Sequence, residues 1–257
     1  MTALLALDGL HKRFGGVTVI DGLSTELREG EVLGIVGPNG AGKTTLFNLI
    51  SGELAPDAGT VTFAGRDITA ARASTRCRAG IGRTHQMPLP FEGMTVFENV
   101  LVGAAHGARR RGHSAYGACE RVLALTGLAG RANIAAGNLG LLDRKRLEMA
   151  RALATAPRLL LLDEVAGGLT DPEVAELVVT VREVQNEGVA IIWIEHIVHA
   201  LTSVVGRLLC IAAGRVLADG EPAAVMASPQ VRQVYLGNID RPSGPAGAGA
   251  SAGEDAP

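Results

Sequence analysis

Short apolar runs alternate along the chain with longer stretches in which apolar residues recur at helical spacing, a pattern that predicts strands and helices packed on one another. Leu4 to Leu10 predicts a strand, and Leu23 to Leu27 alternates with polar residues as a half-exposed strand does. Arg28-Glu29-Gly30-Glu31 turns into the apolar strand Val32-Leu33-Gly34-Ile35-Val36, and a helix follows through Leu46 to Ile50. Pro56-Asp57-Ala58-Gly59 is turn chemistry ahead of a strand at Thr60 to Phe63, which Gly65-Arg66-Asp67 closes. Ala70 to Ala79 suits a short helix, and Gly80 to Gln86 returns as strand into loop. Thr95 to Ala105 and Ala118 to Leu128 are helical in pattern.

The most regular helix predicted is Leu141 to Ala156, with Leu142, Met149 and Leu153 on an apolar stripe, Arg144, Lys145, Arg146 and Arg151 polar around it, and Pro157 ending it. Leu159 to Leu162 then reads as a fully buried strand that ends in Asp163-Glu164. Asp171 as N-cap and Pro172 at the first position start a helix that runs to Glu187-Gly188. Val189 to Ile194 is again a buried strand, ending at Glu195-His196. Arg207 to Ile211 and Arg215 to Asp219 flank Ala212-Ala213-Gly214 as a hairpin, and Pro222 to Gly237 forms short helices. The Pro/Gly/Ala-rich residues 239–257 have nothing to bury and are expected to be disordered.

One junction carries the chemistry. Gly37-Pro38-Asn39-Gly40-Ala41-Gly42-Lys43-Thr44-Thr45 joins the strand at Val32–Val36 to the following helix, the strand-loop-helix context that a phosphate-binding loop requires. Its glycines let the backbone curl into a nest of N–H groups around phosphates, and the helix beginning near Lys43 adds its positive dipole end. Lys43 would reach the β- and γ-phosphates, and the Thr44 hydroxyl would take a magnesium site. The expected ligand is a nucleoside triphosphate.

Other candidates fall on strand ends. In parallel α/β sheets ligands sit at the C-terminal edge, where Asp163 would hold magnesium, directly or through water, and Glu164 would polarise the attacking water. His196, at the end of another buried strand, points to the same edge and could hydrogen-bond the γ-phosphate. His196 and His199 stand at helical spacing, but no further Cys or His cluster completes a metal site. Gln86 reads either as a ligand that orients water or magnesium or as a loop residue making local hydrogen bonds. Phe14 reads either as an aromatic that stacks on adenine or as a core residue. Met87 to Met94 is an apolar loop suited to a protein contact or to packing beneath itself. Arg109-Arg110-Arg111 reads as a solvated run, with attraction to anionic lipid as the lesser alternative.

Composition narrows the setting. At 257 residues, 47% of them hydrophobic and only 3% aromatic, small aliphatic side chains must do most of the packing in one large domain or a domain with a smaller lobe. The net charge of −2 gives no electrostatic case for nucleic acid as a partner. No apolar run approaches the roughly 18 residues that span a bilayer. Met1-Thr2-Ala3-Leu4 carries neither a basic start nor a cleavage-type signal, which argues against secretion. Cys77, Cys119 and Cys210 are odd in number and far apart, as reduced thiols of a cytosolic protein would be.

Phe14, the phosphate loop, Gln86, the aliphatic strand ending in Asp163-Glu164, and His196 occur in an order that resembles the ATP-binding-cassette (ABC) ATPases, over roughly residues 4–238. That resemblance implies an α/β P-loop NTPase with a RecA-like core, an antiparallel β subdomain near the N-terminus, and a helical subdomain over roughly 88–156. It implies ATP and Mg2+ as ligands, Phe14 stacked on adenine, Glu164 as catalytic base, Gln86 coupling the site to a membrane partner, and His196 on the γ-phosphate. Within the family the chain is similar to the ATP-binding subunits of branched-chain amino-acid importers. The matching segments are Thr44 to Gly52, Arg83-Thr84-His85-Gln86, Met94 to Val100, and Pro229 to Gly237 with its Tyr235-Leu236-Gly237. Most relatives have phenylalanine where His85 stands. The lipopolysaccharide-export ATPase is similar around the nucleotide but lacks the Arg-Thr-x-Gln match. Urea or amide uptake and non-transport cassettes are the alternatives, although the coiled-coil insertion or second cassette of the latter is not seen. The implied partners are a second cassette, as heterodimer or homodimer, permease subunits and, through them, a solute-binding protein. The implied location is the inner face of the cell membrane, held there by the permease.

The family signature L-S-G-G-Q falls at Leu139-Gly140-Leu141-Leu142-Asp143, where only the leucine is kept. In a head-to-tail dimer this segment completes the opposing subunit's site. Leu142 is expected to obstruct close approach, and Asp143 to repel an anion unless it turns away or caps the helix. Val165 replaces the usual proline after Glu164, and Thr170 stands where the wider family has aspartate. The expectation is an asymmetric pair with a different cassette.

Overall fold

The computed structural model describes residues 3–236, and the tail expected over 239–257 lies outside them. Strands β1 (Leu5–Phe14) and β2 (Val17–Leu27) run well past their predicted bounds. They pair antiparallel through a tight turn at Gly15-Gly16, and that pairing draws the polar segment His11-Lys12-Arg13 into the sheet. β3 (Val32–Val36) feeds helix α1 (Lys43–Ser51), and β4 (Ala58–Phe63) and β5 (Arg66–Asp67) complete an antiparallel sheet of order β2-β1-β4-β5.

Helix α2 (Ala73–Ala79) leads to the short strand β6 (Ile81–Arg83). Helix α3 (Val96–Val102) widens into one π-helical turn at Gly103–Gly107, and α4 (His113–Leu125) starts and ends earlier than its pattern suggested. Its end is set locally: the Thr126 hydroxyl donates to the Val122 carbonyl and Gly127 takes φ 72°. Then come α5 (Leu141–Ala154), β7 (Leu159–Asp163), α6 (Asp171–Asn186) and β8 (Ala190–Ile194). The cap of α6 is Thr170 rather than the expected Asp171, because Glu173 three residues on closes a capping box with it. The chain continues as α7 (Val198–Thr202), β9 (Arg207–Ala212), β10 (Arg215–Gly220), α8 (Pro222–Ala227) and α9 (Pro229–Leu236).

The second sheet has the order β10-β9-β3-β8-β7-β6, parallel throughout except for β10 on the edge. Its central strands are buried on both faces, as crossover helices require. Alternation along β7 divides the core: Leu159 and Leu161 face α1 and the antiparallel sheet, whereas Leu160 and Leu162 face α5 and α6. A third cluster, built on Val96, Val100, Cys119, Leu123 and Leu147, holds α3, α4 and α5 together. Helix α5 therefore belongs to two clusters, with Met149 and Leu153 toward the sheet and Leu147, Ala150 and Ala154 toward α3 and α4.

Candidate active site

Strands β3, β8, β7 and β6 are consecutive neighbours and parallel, so their C-terminal ends lie along one edge. That edge brings together the loop Gly37–Gly42 after β3, Glu195-His196 after β8, Asp163-Glu164 at the end of β7, and Thr84 to Gln86 after β6.

The loop after β3 is held tightly against its surroundings. A Cβ on Gly37 would stand 2.1 Å from the Ile211 carbonyl oxygen, and one on Gly42, at φ 102°, 2.8 Å from that of Val19. Only glycine fits either place. The first N–H groups of α1 have no intrahelical acceptor and present a positive dipole end to the cleft. Lys43 opens α1 and folds back, its Nζ donating to the carbonyls of Gly37 (2.7 Å) and Pro38 (3.1 Å). Burial lowers its pKa, while the charges of Glu164 and Asp163 work to raise it. The cleft of about 290 Å3 is lined by Val19, Asn39, Gly40, Ala41, Gly42, Lys43, Thr44, Thr45 and Glu164.

Glu164 stands at φ 48°, a left-handed value uncommon for a residue with a side chain, and its N–H donates to the Ile194 carbonyl (2.9 Å). The turn aims the carboxylate so that Oε1 lies 2.7 Å from Nε2 of His196 and Oε2 accepts from the Gln86 amide at 2.5 Å. Three residues singled out on separate stretches of sequence thus meet at one carboxylate. Asp163 is buried; its Oδ2 takes Nη2 of Arg83 at 3.2 Å and its N–H donates to the Thr84 hydroxyl. Burial raises the Asp163 pKa, and Arg83 opposes that shift. Thr44 is exposed beside the loop. The Thr44 hydroxyl, the Asp163 carboxylate and the side-chain carbonyl of Gln86 are hard oxygen donors of the kind magnesium takes, so the residues present fit such an ion.

Phe14 lies at the end of β1, 47% exposed, so it is not a core residue; Lys12 Nζ sits 5.7 Å from its ring centroid. The strand it pairs with, β2, supplies Val19 to the cleft.

Three residues of the site were not anticipated. Arg83 bridges Asn48 (2.6 Å), Ser51 (3.1 Å), Glu53 (3.1 Å) and Asp163, fastening α1 to β7. Buried Glu195 accepts the N–H of Ala166 (3.0 Å) and of its neighbour His196 (2.9 Å), which shapes both turns beside Glu164. Lys145, expected among the polar residues around α5, is buried instead, and its Nζ donates to the Gln86 carbonyl. The signal was present: Leu142, Lys145, Met149 and Leu153 share one helical face, so the lysine lies on the apolar stripe.

In the segment Leu139–Asp143 the placement of Leu142 departs from expectation, whereas Asp143 takes the turned-away alternative. Gly140 caps α5, Leu142 packs against the core of the parallel sheet, and Leu141 is the exposed side chain at the tip. Asp143 turns inward, its carboxylate paired with Arg131 (2.8 Å) and Arg146 (3.6 Å). The bulk at the tip is therefore Leu141, not Leu142, and the carboxylate is neutralised.

A phosphate-binding loop beside a strand-end carboxylate pair, on a RecA-like parallel sheet with an antiparallel sheet alongside, defines a P-loop nucleotide-hydrolysing enzyme. Comparison with known proteins narrows the class. The ABC transporter family profile matches residues 20–167, and that of the branched-chain amino acid ATP-binding cassette transporter matches 215–240. The high-affinity branched-chain amino acid transport ATP-binding protein LivG of Salmonella typhimurium is 37% identical, the match covering 91% of this chain and 98% of that one. BraF of Pseudomonas aeruginosa, described in the same words, is 34% identical with the same coverage. Among solved structures, the ADP conformation of MJ1267, an ATP-binding cassette of an ABC transporter, superposes with a TM-score of 0.84 at 29% identity, covering 92% of this chain and all of that one. The chain belongs to the ABC transporter family and is an ATP-binding ATPase of that family.

Proposed function

We propose that this chain is the ATP-hydrolysing subunit of an importer for branched-chain amino acids or related small polar solutes. The observation that carries the hydrolytic reading is the convergence of Gln86 and His196 on Glu164, beside the phosphate loop. In this reading Gly37 to Thr45 cradle the phosphates with backbone N–H groups, Lys43 neutralises charge on the β- and γ-phosphates, and Phe14 stacks on adenine. Glu164 accepts the proton of the attacking water, and His196 contacts the γ-phosphate. Thr44, Asp163 and Gln86 would hold Mg2+, partly through water, and the ion would supply Lewis-acid charge at the phosphate oxygens. The cargo reading is supported by the C-terminal family match and by the names of the relatives.

Movement of solute requires membrane-spanning partners, since no helix among the described residues is long and apolar enough to cross a membrane. Met87 and Leu89, each 72% exposed, and Phe91 form an apolar surface directly after Gln86. Arg151 braces it, donating to the Leu89 carbonyl (2.8 Å) with its guanidinium 5.0 Å from the Phe91 ring centroid. This surface suits a permease contact, and in this reading that contact holds the chain at the inner face of the membrane. The tip of α5 would complete the site of a second cassette, and the exposed Leu141 favours a different cassette as that partner. Co-purification with polytopic membrane subunits, followed by ATP-dependent uptake of leucine, isoleucine or valine in vesicles, tests the assignment. Uptake of none of these, with uptake of an unrelated solute, would replace the cargo and leave the ATPase reading intact.

A further inference from the structure

The site so far contains two loops that meet through side chains, Gln86 on Glu164. A third element meets both through their backbones. The Lys145 ammonium, on the second turn of α5, donates to the Gln86 carbonyl at 2.7 Å and approaches the Glu164 carbonyl at 3.4 Å. Only 4% of the residue is exposed, and Glu195, Glu164, Glu148 and Asp163 surround its charge. A buried ammonium costs stability unless fixed acceptors compensate, so a lysine on an apolar stripe calls for a specific explanation.

Its position supplies one. Five residues upstream of Lys145 lies Gly140, the cap of α5, and four residues upstream lies the exposed Leu141. The helix is packed into two hydrophobic clusters, so Lys145 and the tip belong to one rigid element. Glu164 is held at φ 48°, so its side-chain direction depends on its backbone staying where it is. A bond from α5 to that carbonyl, and to the carbonyl of the residue whose amide holds the Glu164 carboxylate, makes the aim of Glu164 depend on the placement of α5.

We propose that Lys145 is a positioning residue: it ties the Gln86 loop and the Glu164 turn to α5, so that engagement of the α5 tip is transmitted to this chain's own catalytic carboxylate. The inference rests on the reading of Glu164 as the base that accepts the water's proton.

The test uses the full chain assembled with its permease subunits and second cassette. Lys145→Met retains the stem and removes the ammonium. It lowers kcat about tenfold or more while KM for ATP stays within about twofold, because geometry rather than phosphate binding is lost. Lys145→Arg restores most of the turnover. In a Gln86→Ala background, where the side chain that holds the carboxylate is already gone, Lys145→Met adds less than about threefold. If Lys145→Met fails to fold, Lys145→Leu, which likewise removes every N–H donor and suits the apolar stripe, is read in the same way. Turnover within twofold of wild type in a folded Lys145→Met protein, or an equal loss in both backgrounds, overturns the proposal. Turnover that survives Glu164→Gln removes the reading beneath it; turnover abolished by Glu164→Gln but untouched by Lys145→Met removes this inference alone.

Discussion

Glu164 divides its carboxylate between two residues, with His196 Nε2 at 2.7 Å from Oε1 and the Gln86 amide donating to Oε2. The arrangement orients that carboxylate from both sides. Replacing it with glutamine keeps the shape and, in the proposed mechanism, removes the acceptor of the water's proton; general-base catalysis is worth about 10²–10⁴-fold. Glu164→Gln should therefore lower phosphate release by about 10²-fold or more while retaining ATP affinity within a few fold. His196→Ala should lose less, about 10- to 100-fold in kcat, since it removes one contact and leaves the base. Steady-state phosphate release together with equilibrium nucleotide binding separates the two effects.

Lys43 has the opposite profile. Its ammonium already rests on the Gly37 and Pro38 carbonyls, where burial disfavours its charge. Lys43→Met should leave the nucleotide-free melting temperature within a few degrees, because a buried charge and its desolvation cost leave together. ATP affinity should fall by about one to two orders of magnitude, the worth of charge-assisted hydrogen bonds of roughly 1.5–3 kcal/mol. Calorimetric titration with ATP and a thermal melt of the same protein read both quantities.

The two leucines at the tip of α5 should behave differently. Leu141 is exposed, so Leu141→Gly should leave stability nearly unchanged and raise ATP turnover at the opposing site of the assembled pair by several fold. Leu142 packs into the core cluster, so Leu142→Gly should cost about 2–3 kcal/mol from lost burial and helix propensity together. Melting temperatures and turnover of the two variants, measured side by side, check the distinction.

Helix α3 carries a pH-dependent cap. The Thr95 N–H and hydroxyl both donate to Glu98, at 2.7 and 2.9 Å, and the backbone bond is the larger cause of a Glu98 pKa below the usual carboxylate range. A carboxyl depressed in the folded state contributes stability above its unfolded pKa and loses it as pH falls through the folded value. The melting-temperature gap between wild type and Glu98→Ala should be full at neutral pH and narrow progressively once pH drops through the carboxylate range. A gap that widens on acidification would contradict the assignment.

Much of the site was legible because its signals are local. The loop Gly37–Thr45 is one uninterrupted segment, and Asp163-Glu164 and His196 each follow a buried run whose strand end is plain in the residues. What could not be read depends on partners far along the chain. Arg83 meets Asp163 across 80 residues and Lys145 meets Gln86 across 59, and nothing in the order of residues sets those distances. The inward turn of Asp143 depends on Arg131, which a separate 3-10 turn brings beside it. Element bounds moved for a related reason. β1 and β2 lengthened by pairing with each other, and the cap of α6 shifted by one residue because Glu173 answers Thr170. Phe14, open to two readings in the sequence, lost the core reading once its exposure was known.

The most direct test is phosphate release by the chain assembled with its permease subunits and second cassette, comparing wild type with Glu164→Gln placed in this chain alone. The account predicts that the variant assembly still binds ATP but loses most of its turnover, by about 10²-fold or more. Turnover that persists at the wild-type level, with this chain's Glu164 neutralised and its phosphate loop intact, would contradict it.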